Sequence, residues 1–381
     1  MVKAMRKFSE EKLVRVEVKN LKNVVHGGDI WKHFNNGKEI VDFSSNINPL
    51  GTPPKVLKVL RENLTLVRFL PETDSDSVKE AIVEYFDGKV KPANIIVGNG
   101  STELIHLFTL TFVSKNDECV IPIPTFTEYE VAVRKAGGKP CFIRLKASNS
   151  FMLGLEKVLA SVKRGKTKVV FICNPNNPTG QTVSRRNLVR FLDEALEANI
   201  IVFLDESYVE FSDEDVSLAG LVDDYPNLFV LRSLTKTFGL MGLRIGYGLA
   251  SKRLIEFMSK AKIPWNVNVL AQVAAVKALK DKAYLEKARR IVFREKKFLF
   301  REISRVKGFH VFPSKTNFLL VDIRKSRINS LSLKKRMLKH GILIRDCSSI
   351  RGLDNFYIRV SVRRHKENVR LLEALNLVVE S

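Results

Sequence analysis

The chain has 381 residues, 45% of them hydrophobic and 28% charged, which excludes a disordered or fibrous protein and leaves room for two domains. Its 64 Lys and Arg against 41 Asp and Glu leave a net charge of +23, a surplus that attracts anions. Cys119, Cys141, Cys173 and Cys347 form no CxxC pair, and no apolar run nears the roughly 20 residues of a membrane helix, so a disulfide framework, a metal site and a membrane span are all unexpected and a cytoplasmic setting fits.

The first twenty residues mix Lys and Arg with Glu and hold no apolar stretch, so no signal peptide is expected. Alternating strand and helix patterns then run from about residue 95 to 250. Residues 95–97 predict a short strand, Gly98-Asn99-Gly100-Ser101-Thr102 a loop, and 103–113 an apolar helix. A strand at 119–121 runs into Pro122 and Pro124. Residues 168–173 form a β-branched strand closed by Asn174-Pro175-Asn176-Asn177-Pro178-Thr179-Gly180, followed by an amphipathic helix at 185–198. Two more apolar strands, 200–204 and 228–232, lead into Asp205-Glu206 and into the segment Ser233 to Arg244. Strands apolar on both faces and separated by helices argue for an α/β fold, a mostly parallel sheet covered on both sides.

Beyond about residue 250 the pattern changes. Long basic amphipathic helices span 269–306, short strands follow at 317–323, 342–344 and 356–362, and a helix at 366–377 closes the chain. This outlines a smaller α+β domain. The expected division is a large domain of residues 46–264 and a small one of 1–45 plus 265–381. The basic residues are spread along the whole chain, and their densest run, 288–297, reads as a solvated helix face. No zinc-finger spacing, aromatic RNA-binding pattern or appended helix-turn-helix accompanies them, so an anionic small molecule is expected and nucleic acid is not.

The polar clusters all follow the carboxyl ends of predicted strands, where open α/β sheets bind ligands. Gly100-Ser101-Thr102 precedes a helix whose free amides and dipole suit a phosphate. Phe126 can stack on an aromatic ring. Asp205 lies at the end of an apolar strand, so its carboxylate needs a partner, and a protonated pyridine nitrogen is one. Tyr208, three residues on, can donate to a phenolic oxygen. Ser233-Leu234-Thr235-Lys236 and Arg244 combine phosphate donors with a lysine whose amine, kept partly neutral by a neighbouring cation, can form a Schiff base with a carbonyl.

The ordered set Gly100-Ser101-Thr102, Asn177-Pro178-Thr179-Gly180, Asp205 with Tyr208, Ser233-x-x-Lys236 with Arg244, and Arg359 resembles fold-type I pyridoxal-phosphate (PLP) enzymes of the class I/II aminotransferase superfamily. The resemblance implies that Lys236 anchors PLP covalently and then shuttles protons, and that Asp205 pairs with the pyridine nitrogen. It also implies that Asn177 and Tyr208 hold the ring oxygen and Phe126 covers the ring face. Ser101, Thr102, Ser233 and Arg244 would grip the phosphate, and Arg359 would clamp the substrate carboxylate, a task that suits a planar guanidinium. A homodimer with the active site at the interface is implied as well.

Within the superfamily, His26-Gly27-Gly28, Asp42-Phe43-Ser44-Ser45-Asn46-Ile47-Asn48-Pro49-Leu50-Gly51 and Gly341-Ile342-Leu343-Ile344-Arg345-Asp346-Cys347 resemble the threonine-phosphate decarboxylases of cobalamin assembly, and the related histidinol-phosphate aminotransferases. Arg345 would then grip a substrate phosphate, with His26 and Asn46 lining the same end. One position departs from the pattern: Leu70-Pro71 stands where the branch carries Tyr-Pro, and that tyrosine reaches the cofactor phosphate across the dimer. The expected reaction is decarboxylation of a phosphorylated amino acid; transamination with 2-oxoglutarate is the alternative. The Cα bond held perpendicular to the cofactor ring is the one weakened, so a rotation about one bond separates the two.

Overall fold

A computed structural model describes residues 13–21, 24–25, 27–28, 30–32 and 39–380. Thirteen strands occur among the described residues. They are β1 (Val41–Asp42), β2 (Ile95–Gly98), β3 (Glu118–Ile123), β4 (Lys139–Arg144), β5 (Thr167–Cys173), β6 (Ile201–Asp205), β7 (Leu228–Ser233), β8 (Gly246–Ala250), β9 (His310–Val311), β10 (Phe318–Asp322), β11 (Ile342–Leu343), β12 (Arg345–Asp346) and β13 (Tyr357–Ser361).

Strands β2 to β8 build one seven-stranded sheet in the order β2-β8-β7-β6-β5-β3-β4. Every pairing is parallel except the two made by β8. Alternate side chains feed two separate cores, as a sheet covered on both faces requires. Val202, Leu204, Leu228 and Val230 enter one core, with the helices Asp76–Tyr85, Arg185–Glu197 and Val269–Leu279. Phe203, Phe229 and Leu231 enter the other, with the helices Ser101–Phe112, Glu128–Lys135 and Lys252–Ala261. The chain is thus an α/β protein with a mostly parallel central sheet, as its strand pattern implied.

Two of these strands had no clear sequence signal, for physical reasons. β8 is Gly-Tyr-Gly-Leu-Ala, and its glycines make room for neighbours: a Cβ on Gly248 would lie 2.3 Å from the Phe229 ring. β4 carries Pro140 and lies at the sheet edge, where a missing amide is tolerated.

The second body contains the antiparallel sheet β12-β13-β10-β9 and the parallel pair β1–β11, around a core that includes Phe43, Leu319, Val321, Ile358 and Val360. The run 269–306 is two helices, Val269–Leu279 and Lys282–Ile303. The first is alanine-rich and buried in the main-sheet core, which therefore extends past residue 264. The second is a strut: Leu285 belongs to the main core, and Leu299 and Ile303 to the second. Its charged run is not wholly solvated, which corrects the expectation for 288–297. Glu295 is 1% and Lys296 8% exposed. Glu295 is met by His365 and Asn368 from the closing helix, each at 3.1 Å.

Candidate active site

The carboxyl ends of β2, β3, β5, β6 and β7 open onto one cavity of about 520 Å³. Ser101, Thr102, Phe126, Asn177, Asp205, Tyr208, Ser233, Lys236 and Arg244 line it from the main sheet, Arg345 and Arg359 from the second body, and Asn46 from the segment that follows β1. Every described candidate residue is thus at this cavity except Gly100, which borders it through Arg244. His26 lies outside the described residues.

At one end the helix Ser101–Phe112 presents its first turn. Gly100 sits at φ +84°, and a Cβ there would come within 2.7 Å of the Arg244 guanidinium. Gly246 likewise leaves the Ser101 amide open, since its Cβ would lie 2.9 Å from that nitrogen. The Ser233 and Thr235 hydroxyls meet at 2.6 Å beside them. Amides at a helix start, two hydroxyls and one guanidinium make an anion cradle.

The floor is Asp205. Burial raises its proton affinity, while the Ser207 amide donating at 2.8 Å and the Tyr129 hydroxyl donating at 2.5 Å act against that rise. Lys236 follows β7 on a four-residue helical turn. Its amine is pushed down to about 8, first by burial and then by the charges of Arg359 and Arg244, with Asp42 opposing. At neutral pH about a tenth of it is therefore neutral and nucleophilic, far more than for a solvated lysine.

Below that turn lies a buried ion network absent from the sequence expectations. The Arg232 guanidinium meets Glu206 at 2.9 Å and Glu210 at 2.6 Å, and Glu210 accepts from the Thr237 hydroxyl at 3.0 Å. Asn48 donates to the Thr237 carbonyl at 2.6 Å. The turn carrying Lys236 is thereby pinned from two sides.

The far end is built from the second body. Arg359 donates to Asn177 Oδ1 at 2.6 Å and to the Ser44 carbonyl at 2.8 Å. Asn46 donates to the Tyr208 hydroxyl at 3.0 Å, which leaves that hydroxyl's own proton to give. Arg345 donates to the Val25 carbonyl at 2.6 Å and to Ser349 at 3.3 Å. Arg345 and Arg359 are direct cross-strand partners on β12 and β13, each 7% exposed and each lining the cavity. Two like charges opposite one another on adjacent strands repel, and both line the wall of the same cavity.

The donor set fits PLP. Asn46 Oδ1, Ser207 Oγ and Arg359 Nε are buried with no hydrogen-bond partner among the described residues, so the cavity holds unsatisfied polar atoms that a polar ligand would meet. An anion cradle, a floor carboxylate, an aromatic side chain and a low-pKa amine lie around one space. Leu70, by contrast, is 72% exposed and does not line it. Sequence reasoning also passed over Tyr129, Ser207 and Ile350. Tyr129 carried only an aromatic's core signal, and Ile350 only a place in a loop near Arg345.

The chain matches the family model for aminotransferase class I and II over residues 38–375. A protein provisionally assigned as a threonine-phosphate decarboxylase in Caldanaerobacter subterraneus subsp. tengcongensis is 37% identical over 96% of both chains. The histidinol-phosphate aminotransferase of Methanococcus aeolicus is 32% identical over 96% of this chain and 98% of its own. Among solved structures, the histidinol-phosphate aminotransferase from Clostridium acetobutylicum superposes with a TM-score of 0.82 at 30% identity, covering 90% of this chain and 99% of that one.

Proposed function

We propose a reaction for this chain, which belongs to the aminotransferase class I and II family and is a PLP-dependent enzyme: decarboxylation of a phosphorylated amino acid, with threonine phosphate as the leading substrate. The observation that carries the substrate class is the placing of the buried Arg345 and Arg359 on neighbouring strands in the cavity wall, and the choice of decarboxylation follows the likeness to the 37% identical relative. A substrate with a carboxylate and a phosphate at its two ends can meet both guanidinium groups. Arg359 takes the carboxylate, fixed in direction by Asn177 and Ser44, and Arg345 takes the phosphate.

PLP, when bound, supplies an electron sink for charge that develops at the substrate's α-carbon. The chain's residues do the rest. Ser101, Thr102, Ser233 and Arg244 hold the cofactor phosphate, Asp205 meets the pyridine nitrogen, Asn177 and Tyr208 hold the ring oxygen, and Phe126 covers one face. Lys236 anchors the cofactor and, with its amine near pH 8 in proton affinity, gives and takes protons at the α-carbon side.

Transamination of histidinol phosphate with 2-oxoglutarate is the second reading, favoured by the likeness to histidinol-phosphate aminotransferases. We place the protein in the cytoplasm as a homodimer. Exposed Leu57, Leu64, Val67, Phe69 and Leu70, with Ile263 and Trp265, support a second copy covering that flank. We draw the boundary between the two bodies within the helix Lys282–Ile303. Product analysis separates the reactions: threonine phosphate is expected to give carbon dioxide and aminopropanol phosphate without any keto acid. A keto product formed only with 2-oxoglutarate would overturn the decarboxylase reading.

A further inference from the structure

Tyr129 does not line the cavity, yet it touches two of the residues that do. It is 1% exposed and sits on the helix Glu128–Lys135. Its ring stacks on Phe171 (centroids 5.3 Å apart, 21° between planes) and meets the edge of Phe126 at 5.8 Å. Held on these faces, the phenol donates its hydroxyl proton to Asp205 Oδ2, 2.5 Å away, with the Cys173 thiol also beside the hydroxyl. The Ser207 amide occupies Oδ1. The Ser207 side chain also acts on the carboxylate, and Asp205 lines the cavity.

We propose that Tyr129 is the positioning residue for the cofactor's pyridine nitrogen: its hydroxyl keeps Asp205 ionised and aimed, and so sets the pH below which PLP is lost. The inference rests on reading Asp205 as the partner of that nitrogen. An ionised carboxylate in an apolar floor is costly, and a donated phenol proton offsets the cost. A neutral Asp205 would have to give up its proton before it could pair with a protonated ring. Below the Asp205 midpoint in the empty protein, PLP affinity then falls about tenfold per pH unit.

The groups facing Asp205 leave that titration readable. Cys173 on β5 and Tyr208 beyond β6 are both shifted upward by burial and stay neutral from pH 5 to 8. Tyr129 itself is shifted up by burial and by the Asp205 charge. Lys236 titrates near pH 8 in every variant that keeps its surroundings, so its contribution is common to all the curves.

The test is equilibrium dialysis of the full-length protein against PLP from pH 5 to 8.5, for wild type, Tyr129→Phe and Asp205→Asn. In Tyr129→Phe the bend in log Kd against pH is expected to rise by about 1–2 pH units. PLP binding is then about 10–100-fold weaker at pH values below the wild-type bend and within about twofold of wild type well above both bends. Incorporating 3-fluorotyrosine at position 129 gives a stronger donor of the same shape, and should move the bend the other way. A Tyr129→Phe curve displaced equally at all pH values, or an unmoved bend in both variants, overturns the proposal. Asp205→Asn distinguishes the two layers of the argument. If it leaves Kd unchanged at every pH, the reading of Asp205 itself has failed, whereas a weakened Asp205→Asn beside an unmoved Tyr129→Phe bend defeats only the role of Tyr129.

Discussion

The two ends of the cavity are built in different ways. The cofactor end comes from the tips of neighbouring parallel strands, so each side chain is a few residues from its strand and the sheet sets the spacing. Cys173 pairs with Asp205, and Asp205 with Leu231, so the loops carrying Asn177, Asp205 and Lys236 leave the sheet side by side. The substrate end joins parts distant in sequence: Arg345 reaches the Val25 carbonyl, and Arg359 the Ser44 carbonyl. One end is a rigid product of the sheet. The other exists only when the second body is docked, and the Arg359–Asn177 hydrogen bond is one contact that joins the two.

That contrast is open to attack by substitution, starting at the cofactor end. Lys236→Ala is expected to lower turnover by at least about 10²–10⁴-fold, and borohydride followed by peptide mass analysis should find no cofactor fixed to the chain. Arg359→Ala removes a buried, hydrogen-bonded charge worth about 2–5 kcal/mol. It should cost about 10²-fold or more in kcat/KM for every amino acid tried, phosphorylated or not. If only phosphorylated substrates suffer, the assignments of the two arginines are exchanged.

Smaller effects sharpen the contrast. Gly100→Ala forces an L side chain to φ +84° and against Arg244, and PLP affinity should drop about tenfold, a cost of roughly 1–2 kcal/mol of strain; unchanged affinity would mean that the helix start is not the phosphate site. The pH dependence of cofactor capture is smaller still. Burial and two positive neighbours disfavour the Lys236 ammonium, so its proton leaves near pH 8. The rate of PLP attachment should climb with pH up to about 8 and then flatten. In Arg359→Gln one of those positive neighbours is gone, and the bend should move upward.

The same contrast explains what the sequence revealed. Asn177, Asp205 and Lys236 were legible because a strand's apolar run and the polar cluster after it are adjacent in the chain. Arg359 and Arg345 could be singled out only by resemblance, since nothing local says that two strand arginines share a register. Tyr129 was hidden by its own burial: an aromatic on a helix face reads as core, and its hydroxyl partner is a strand away. The Glu206–Arg232–Glu210 network hid in the same way, because charged residues within or just beyond apolar strands show their purpose only once paired. The buried Glu295 and Lys296 escaped because one helix serves both cores.

The claim that the two ends divide cofactor from substrate is tested most directly by Arg345→Gln. The measurement is the ratio of kcat/KM for threonine phosphate over threonine, taken with the absorption of the bound cofactor. The expected result is a fall of about 10²-fold in that ratio with the cofactor spectrum unchanged. A ratio that stays at the wild-type value, or a loss of bound PLP, would contradict it.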